Sequence, residues 1–209
     1  MPKGVADMIS NVSCRTGCRP LLWLLFLLLL QLLLAGGGCA TRAGDYYLRD
    51  DIDLEYMRQI AVLSLANNSR DEFAPEMVRD IIMTRVLHRR LFDVVDKGLV
   101  DSRMREEVLD PGQPLDAVTL QRLGRHLQVQ GVLLGTVDVA AEQRKGPVTY
   151  PELALTLRLL DVESGLVIWQ AGGNADGDSF SRRLFGLAAR DRYQVARGLV
   201  DELLATIPR

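Results

Sequence analysis

ELALTLRLLDVESGLVIW, Glu152–Trp169, is the stretch that decides the fold. Leu153, Leu155, Leu157 and Leu159 recur at period two, which puts four leucines on one face of a strand. DVESG then turns the chain, with Gly165 free to take a positive φ. LVIWQAG leads back, so the segment reads as an antiparallel hairpin. Upstream, GVLLGTVDVAAE (Gly131–Glu142) reads as another strand, turned by QRKGPVTYP. Downstream, GNADGDS reads as a loop and Ala188–Thr206 as a closing amphipathic helix with Tyr193, Ala196, Leu199, Val200, Leu203 and Leu204 along one face.

The first half of the domain has a different pattern. IAVLSL (Ile60–Leu65) is a short apolar run, a buried strand candidate, and ANNSRDEF follows with loop chemistry. Ala74–Arg90 reads as a helix: Pro75 suits its first turn, and Met77, Val78, Ile81, Ile82 and Val86 share a face. Acids clustered early (Asp71, Glu72, Glu76) and bases late (Arg85, Arg89, Arg90) match the helix dipole. LFDVVDKG reads as the next strand, with Gly98 as its stop. Such a strand–helix–strand unit pairs its strands in parallel through a right-handed crossover. Helices over Gly98–Val108 and Leu115–Gln128 follow, separated by the helix-breaking loop LDPGQPLD, with Asp116 as a cap. The expected class is therefore α/β (α+β): a single mixed β-sheet flanked by helices, with a strand–helix–strand unit, an antiparallel hairpin and a C-terminal helix.

The amino terminus carries an address. Leu21–Ala35 is an apolar run of 15 residues broken only by Gln31, shorter than the ~20 that span a bilayer. Lys3, Arg15 and Arg19 precede it, and Gly36, Gly37 and Gly38 end it. A basic segment, a short apolar run and a small-residue exit make a secretory signal. Gly36–Cys39 resembles the lipobox of bacterial lipoproteins, although Gly36 stands where leucine is preferred. The resemblance implies cleavage before Cys39, thioether lipidation of its sulfur and acylation of the new amino terminus, so the chain would meet the lipid bilayer through N-terminal acyl chains. Ala40, rather than aspartate, implies transfer to the outer membrane. The domain plan is then residues 1–38 as signal peptide, 39–53 as lipidated N-terminus and polar tether, and 54–209 as the periplasmic α/β domain. Cys14 and Cys18 fall in the removed segment, so the mature fold has no disulfide. Its 22 basic and 26 acidic residues, after the signal's three bases and one acid are removed, give a net charge of −4. That balance does not favour nucleic acid, which calls for a basic face.

The order of IAVLSLANNS, VRDIIMTRVL, FDVVDKG, LGRHLQVQGVLLGTV and LTLRLLDVESGLVIW resembles a periplasmic α/β domain shared by three groups. These are the curli secretion channel lipoprotein CsgG, the penicillin-binding-protein activator LpoB and the amino-terminal domain of TolB. The likeness covers about Ile60–Trp169. Asp161, Gly165 and Trp169 fall on the hairpin pattern; Ser64 replaces a usual proline of the first strand, and Gln130 replaces an acid. The motif supplies a turn, a bulge and an aromatic lid, which identify a fold better than a function.

No catalytic set, cofactor or metal site is expected. His88 and His126 have no cysteine nucleophile in the mature chain and there is no G-x-S-x-G elbow. Asn174, Asp176 and Asp178 alternate like the start of an EF-hand loop, but Ser179 and Phe185 stand where glycine and glutamate are required. SFSRRLFGLAARDRY mixes aromatic residues with arginines, as interfaces do. It nominates Phe180, Arg182, Arg183, Phe185, Arg190 and Arg192 as a partner surface, weighed against the plainer reading of apolar packing with solvated arginines. The expected function is a non-enzymatic binding or assembly module at the periplasmic face of the outer membrane, engaging an envelope protein or its own copies. A CsgG-like secretion subunit and an LpoB-like activator of a peptidoglycan synthase are the alternatives. Too few spare residues exist for two membrane hairpins per subunit, which counts against a pore. A tether of about 14 residues reaches at most ~50 Å, which counts against an activator working deep in the cell wall.

Overall fold

In the computed structural model the chain divides into two units, Met1–Arg42 and Ala43–Arg209. The described residues are 23, 45–51, 54–178 and 188–208, all but the first in the second unit. In chain order these form β1 (Tyr46–Leu48), a 3-10 turn (Leu54–Tyr56), β2 (Gln59–Val62), β3 (Ala66–Asn67), α1 (Ala74–Arg89), β4 (Asp93–Val94), α2 (Lys97–Glu106), α3 (Ala117–Leu127), β5 (Gly131–Lys145), β6 (Val148–Asp161), β7 (Val167–Asp176) and α4 (Arg192–Leu204). The strands make one mixed sheet in the order β1-β7-β6-β5-β2-β4, with β3 also paired to β5. The β2–β4, β2–β5 and β3–β5 pairs are parallel, whereas β1–β7, β5–β6 and β6–β7 are antiparallel.

The two halves of the sheet are covered differently, and the sequence shows why. In β2 and the residue after it, Ile60 and Val62 point into one core while Ala61 and Leu63 point into another. An unbroken apolar run is what a strand buried on both faces requires. In β6 only the alternate residues Leu153, Leu155, Leu157 and Leu159 are buried in the first core, and Arg158 between them is exposed. The first core lies beneath α1 (Val78, Ile81, Ile82, Val86) and α4 (Leu199, Val200, Leu203, Leu204); the second lies beneath α2 (Val100, Met104) and α3 (Leu120, Leu123, Leu127). Each buried leucine contributes about 1.5–3 kcal/mol.

The hairpin motif has a clear structural task. Asp161 is buried, and its Oδ2 accepts from the Ser164 amide at 2.7 Å and from the Ser164 hydroxyl, while Gly165 takes φ +72°. The Tyr56 hydroxyl donates to Asp161 Oδ1 at 2.7 Å, which ties the turn to the segment before β2. The bulge lies where β6 pairing to β7 shifts register between Leu159 and Leu160. Trp169 is fully buried and its Nε1 donates to Thr206 Oγ1 at 2.8 Å, so the aromatic residue is a core member that fastens the sheet to the end of α4. Both departures from the family pattern find partners. Gln130 Oε1 accepts from the Arg58 and Gln59 amides at 3.2 and 3.0 Å, as a carboxylate there would. The Ser64 hydroxyl accepts from Arg79 Nη1 at 3.3 Å.

Several boundaries differ from the sequence reading. Gly98 does not stop a strand; it lies in the first turn of α2, because Asp96 accepts from the Leu99 amide at 3.2 Å and caps the helix. β5 and β6 run on through most of QRKGPVTYP, turning only at Gly146, whose φ is +63°. β7 continues through the glycine- and aspartate-rich loop composition to Asp176, which is opposite Glu152. Asn174 and Asp176 are thus strand residues, not loop ligands. α4 begins at Arg192 rather than Ala188, since Asp191 caps it through the Gln194 amide at 2.7 Å. Tyr46–Leu48 pair with Trp169–Ala171, so the sheet begins inside the stretch 39–53 that reads as tether. None of the described helices is long and apolar enough to cross a membrane.

Candidate partner-binding groove

The β5–β6 hairpin runs past the end of β7: β6 pairs with β7 from Glu152 onward, while among the described residues Val148–Pro151 pair as a strand only with β5. Beside this projecting ribbon lie the amino-terminal ends of α1 and α4. They are joined by an ion pair, Arg192 Nη1 to Asp71 Oδ2 at 2.7 Å. Asp71 Oδ1 also accepts from the Phe73 amide at 3.0 Å, so this one carboxylate orders the start of α1, which has no side-chain cap of its own. The preceding loop is knit by Asn67, whose Oδ1 accepts from Ser69 and whose Nδ2 donates to the Asp71 carbonyl at 3.0 Å.

The ion pair separates two hollows. One, of about 240 Å³, lies between the ribbon and the helices, with Met77, Ala140, Pro151 and Leu153 as apolar wall and Arg70 and Glu142 among its polar residues. The other, of about 320 Å³, lies over Phe73, Asp191 and Tyr193. Phe73 is 81% exposed and Tyr193 53% exposed. Large aromatic residues in open water beside a charged pair are hot-spot chemistry for a protein partner. The acids Asp71, Glu142 and Glu152 outnumber the bases Arg70 and Arg192 by one, so the groove is mixed in sign.

Of the residues nominated from sequence, Arg192 lines this groove, and Arg190 precedes it outside the lining of either hollow. The Arg190 amide donates to the Gly177 carbonyl at 3.0 Å, and the Gly177 amide to the Pro151 carbonyl at 2.8 Å. Those bonds pin the start of α4 against the ribbon. Phe180, Arg182, Arg183, Phe185 and Cys39 lie outside the described residues. The sequence nominates none of Phe73, Asp71 and Arg70 for a site: ANNSRDEF reads as loop, and Asp71 only as an acid that suits the helix dipole. A phenylalanine immediately before a proline-led helix, off its apolar face, was the available signal.

The other polar clusters are structural. Arg79 is 1% exposed; its Nε and Nη2 donate to the Val62 carbonyl at 3.1 and 2.9 Å, and its Nη1 to Asp101 Oδ1 at 2.7 Å. Lys97 binds Asp80 and Glu76, hydrogen bonds that raise its pKa. Glu107 holds Arg122 at 2.6 Å, with His126 Nδ1 at 3.8 Å from its other oxygen. Among the described residues no group of three His, Cys, Asp or Glu is arranged to hold a metal ion.

A family model described as the peptidoglycan-synthase activator LpoB matches residues 52–174, more than half of the chain. The chain belongs to the LpoB family. The match spans β2 through most of β7, the elements that build the sheet. Of the three groups that the motifs resemble, it falls on LpoB. Among solved structures, the chain is similar to the PelC dodecamer from Paraburkholderia phytofirmans, with 20% identity over 79% of this chain and 100% of PelC, at a TM-score of 0.55. It is also similar to lipoprotein GNA1162 from Neisseria meningitidis, with 16% identity over 71% and 99% of the two chains, at a TM-score of 0.50. At these identities the likeness is one of fold. No curated protein matches the chain.

Proposed function

We propose that the protein is a non-enzymatic module of the bacterial envelope that binds and activates a peptidoglycan synthase. It stands at the periplasmic face of the outer membrane, held by lipid on Cys39. The family match over residues 52–174 carries this reading. The groove between the projecting ribbon and the starts of α1 and α4 supports it, because it offers exposed aromatic residues and an ion pair rather than catalytic groups. An oligomeric secretion subunit gains no support from that match.

Activation by such a module needs no chemistry of its own. A protein that binds one conformation of an enzyme more tightly than another shifts the enzyme toward that conformation. Membrane anchoring raises the local concentration of the module where its partner works. Only residues 40–45 lie between Cys39 and β1, a reach of roughly 25 Å at ~3.5 Å per residue. The short lever that counted against an activator now sets where the partner docks: the synthase brings its regulatory surface close to the outer membrane.

The test uses the full-length lipoprotein purified from bacterial membranes. Its addition to a reconstituted synthase is expected to raise the rate of glycan polymerisation, and crosslinking in intact cells is expected to join the two proteins. A synthase whose rate is unchanged by saturating lipoprotein, with no crosslink in cells, overturns the proposal. Mass spectrometry of the same preparation checks the anchor: a free thiol at Cys39 on an unprocessed chain would refute that part alone.

A further inference from the structure

At the carboxy-terminal end of α1, a 16-residue helix and so roughly 24 Å from the groove, lies a hollow larger than either of the groove's two. It measures about 560 Å³, within the range of ligand cavities. Its wall is apolar, with Leu48 of β1, Leu54 of the 3-10 turn, Met57, Leu91, Phe92 and Pro208. Its lining also includes three arginines, Arg49, Arg89 and Arg90, and one acid, Glu55. Arg49 pairs with Asp51 at 2.7 Å, and Arg89 lies 3.7 Å from Asp201. The Arg90 guanidinium has no ion pair or hydrogen bond among the described residues. Arg90 is also held in place by its backbone, at φ +55°, where its amide donates to Leu87 and closes α1.

We propose that this hollow binds one anionic phospholipid of the membrane on which the protein stands. The chemistry is complementary at both ends. A phosphate diester accepts two parallel hydrogen bonds from a guanidinium, and three arginines, Arg49, Arg89 and Arg90, line this hollow. The leucines, Met57 and Phe92 give an acyl chain an apolar seat. β1 adds a second feature near the hollow: Tyr46 and Tyr47, on opposite faces of this edge strand, are 55% and 51% exposed, just before Leu48 and Arg49. Tyrosine, with an apolar ring and a polar tip, suits the headgroup level. β1 is also the first strand after the segment that carries Cys39. The choice of a membrane lipid as occupant rests on the anchored reading of Cys39, while the cavity and its charge do not.

The test separates the two. The full chain is placed in nanodiscs of neutral phosphatidylcholine, and dihexanoyl-phosphatidylglycerol is titrated below its micelle threshold, with dihexanoyl-phosphatidylcholine and inorganic phosphate as controls. The readout is hydrogen–deuterium exchange. Saturable protection confined to residues 48–57 and 89–92, given by phosphatidylglycerol alone, is expected. Arg49→Ala combined with Arg90→Asn should weaken it at least tenfold; asparagine tolerates the left-handed backbone at 90. Leu54→Glu, which puts an acid at the mouth of a half-exposed site, is a second variant expected to do the same. Equal protection by the neutral lipid, protection by phosphate alone, protection elsewhere in the chain, or full binding by both variants would overturn the proposal. The synthase assay is unaffected by any of these results.

Discussion

Arg79 of α1 and Asp101 of α2 meet at 2.7 Å although their helices pack on opposite faces of the sheet. The contact is made at the end of β2, where the Val62 carbonyl takes two more bonds from the same guanidinium. A single buried side chain thus joins both layers to the central parallel strand.

Removing Asp101 leaves that guanidinium without its counter-ion. A wholly buried pair loses about 3–5 kcal/mol when one partner is deleted. Asp101 keeps 28% of its side-chain surface, so water compensates in part and Asp101→Ala should lose about 2–3 kcal/mol. Urea unfolding followed by circular dichroism checks this, and a change under ~0.5 kcal/mol would refute it.

The Tyr56–Asp161 bond predicts a stability window in pH. Burial pushes the Asp161 carboxyl up, but hydrogen bonds from Ser164 and Tyr56 outweigh it and hold the pKa below the usual value. Its stabilisation is therefore present above the unfolded value of about 3.9 and is lost as pH falls through the lower folded value. Burial, then the bond to Asp161, raises the Tyr56 phenol, so its share is full below about pH 10 and is lost as pH rises through the folded value. Urea midpoints should fall at both extremes. Asp161→Asn should flatten the acid limb and Tyr56→Phe the alkaline one.

Gly124 in α3 packs against Val162, and a Cβ at residue 124 would lie 2.3 Å from Val162 Cγ1. Gly124→Ala should cost about 1–3 kcal/mol by overpacking despite the better helix propensity of alanine. Adding Val162→Ala should recover part of that loss. A double mutant no more stable than Gly124→Ala alone would place the strain elsewhere.

Phe73→Ala and Arg192→Glu test the groove. Phe73 is 81% exposed, so its truncation should change fold stability by less than ~0.5 kcal/mol. Both variants should nevertheless weaken synthase binding roughly tenfold or more, read by surface plasmon resonance with the reconstituted enzyme. Unchanged affinity in both would move the docking surface away from this end of the domain.

What the sequence made legible follows from how local each signal is. The four leucines of β6, the Asp116 cap of α3 (Thr119 amide to Oδ1, 2.9 Å) and the turn at Gly165 are each set within a few residues, and each stands as read. Features set by distant pairing were not legible. Gly172–Asp176 has loop composition but becomes strand because β6 offers it a ladder from Thr156 back to Glu152. Tyr46–Leu48 looks polar and aperiodic until β7 supplies its edge, more than a hundred residues later. Arg79 reads as one more helix arginine, and only the fold reveals that it is buried. The groove was half legible for the same reason: Arg192 stood in a suggestive run, but its partner Asp71 comes from the other half of the domain.

The three-residue strand β1 also has a mechanical meaning. Tension arriving from the amino-terminal side of the domain is delivered to a ladder of only three residue pairs at one rim of the sheet. That ladder would peel from β7 while Trp169, the partner of Leu48 in it, stays bonded to Thr206 and still clasps the last helix. A rim seam that opens first would let the chain ahead of the domain lengthen under strain before the folded body gives way.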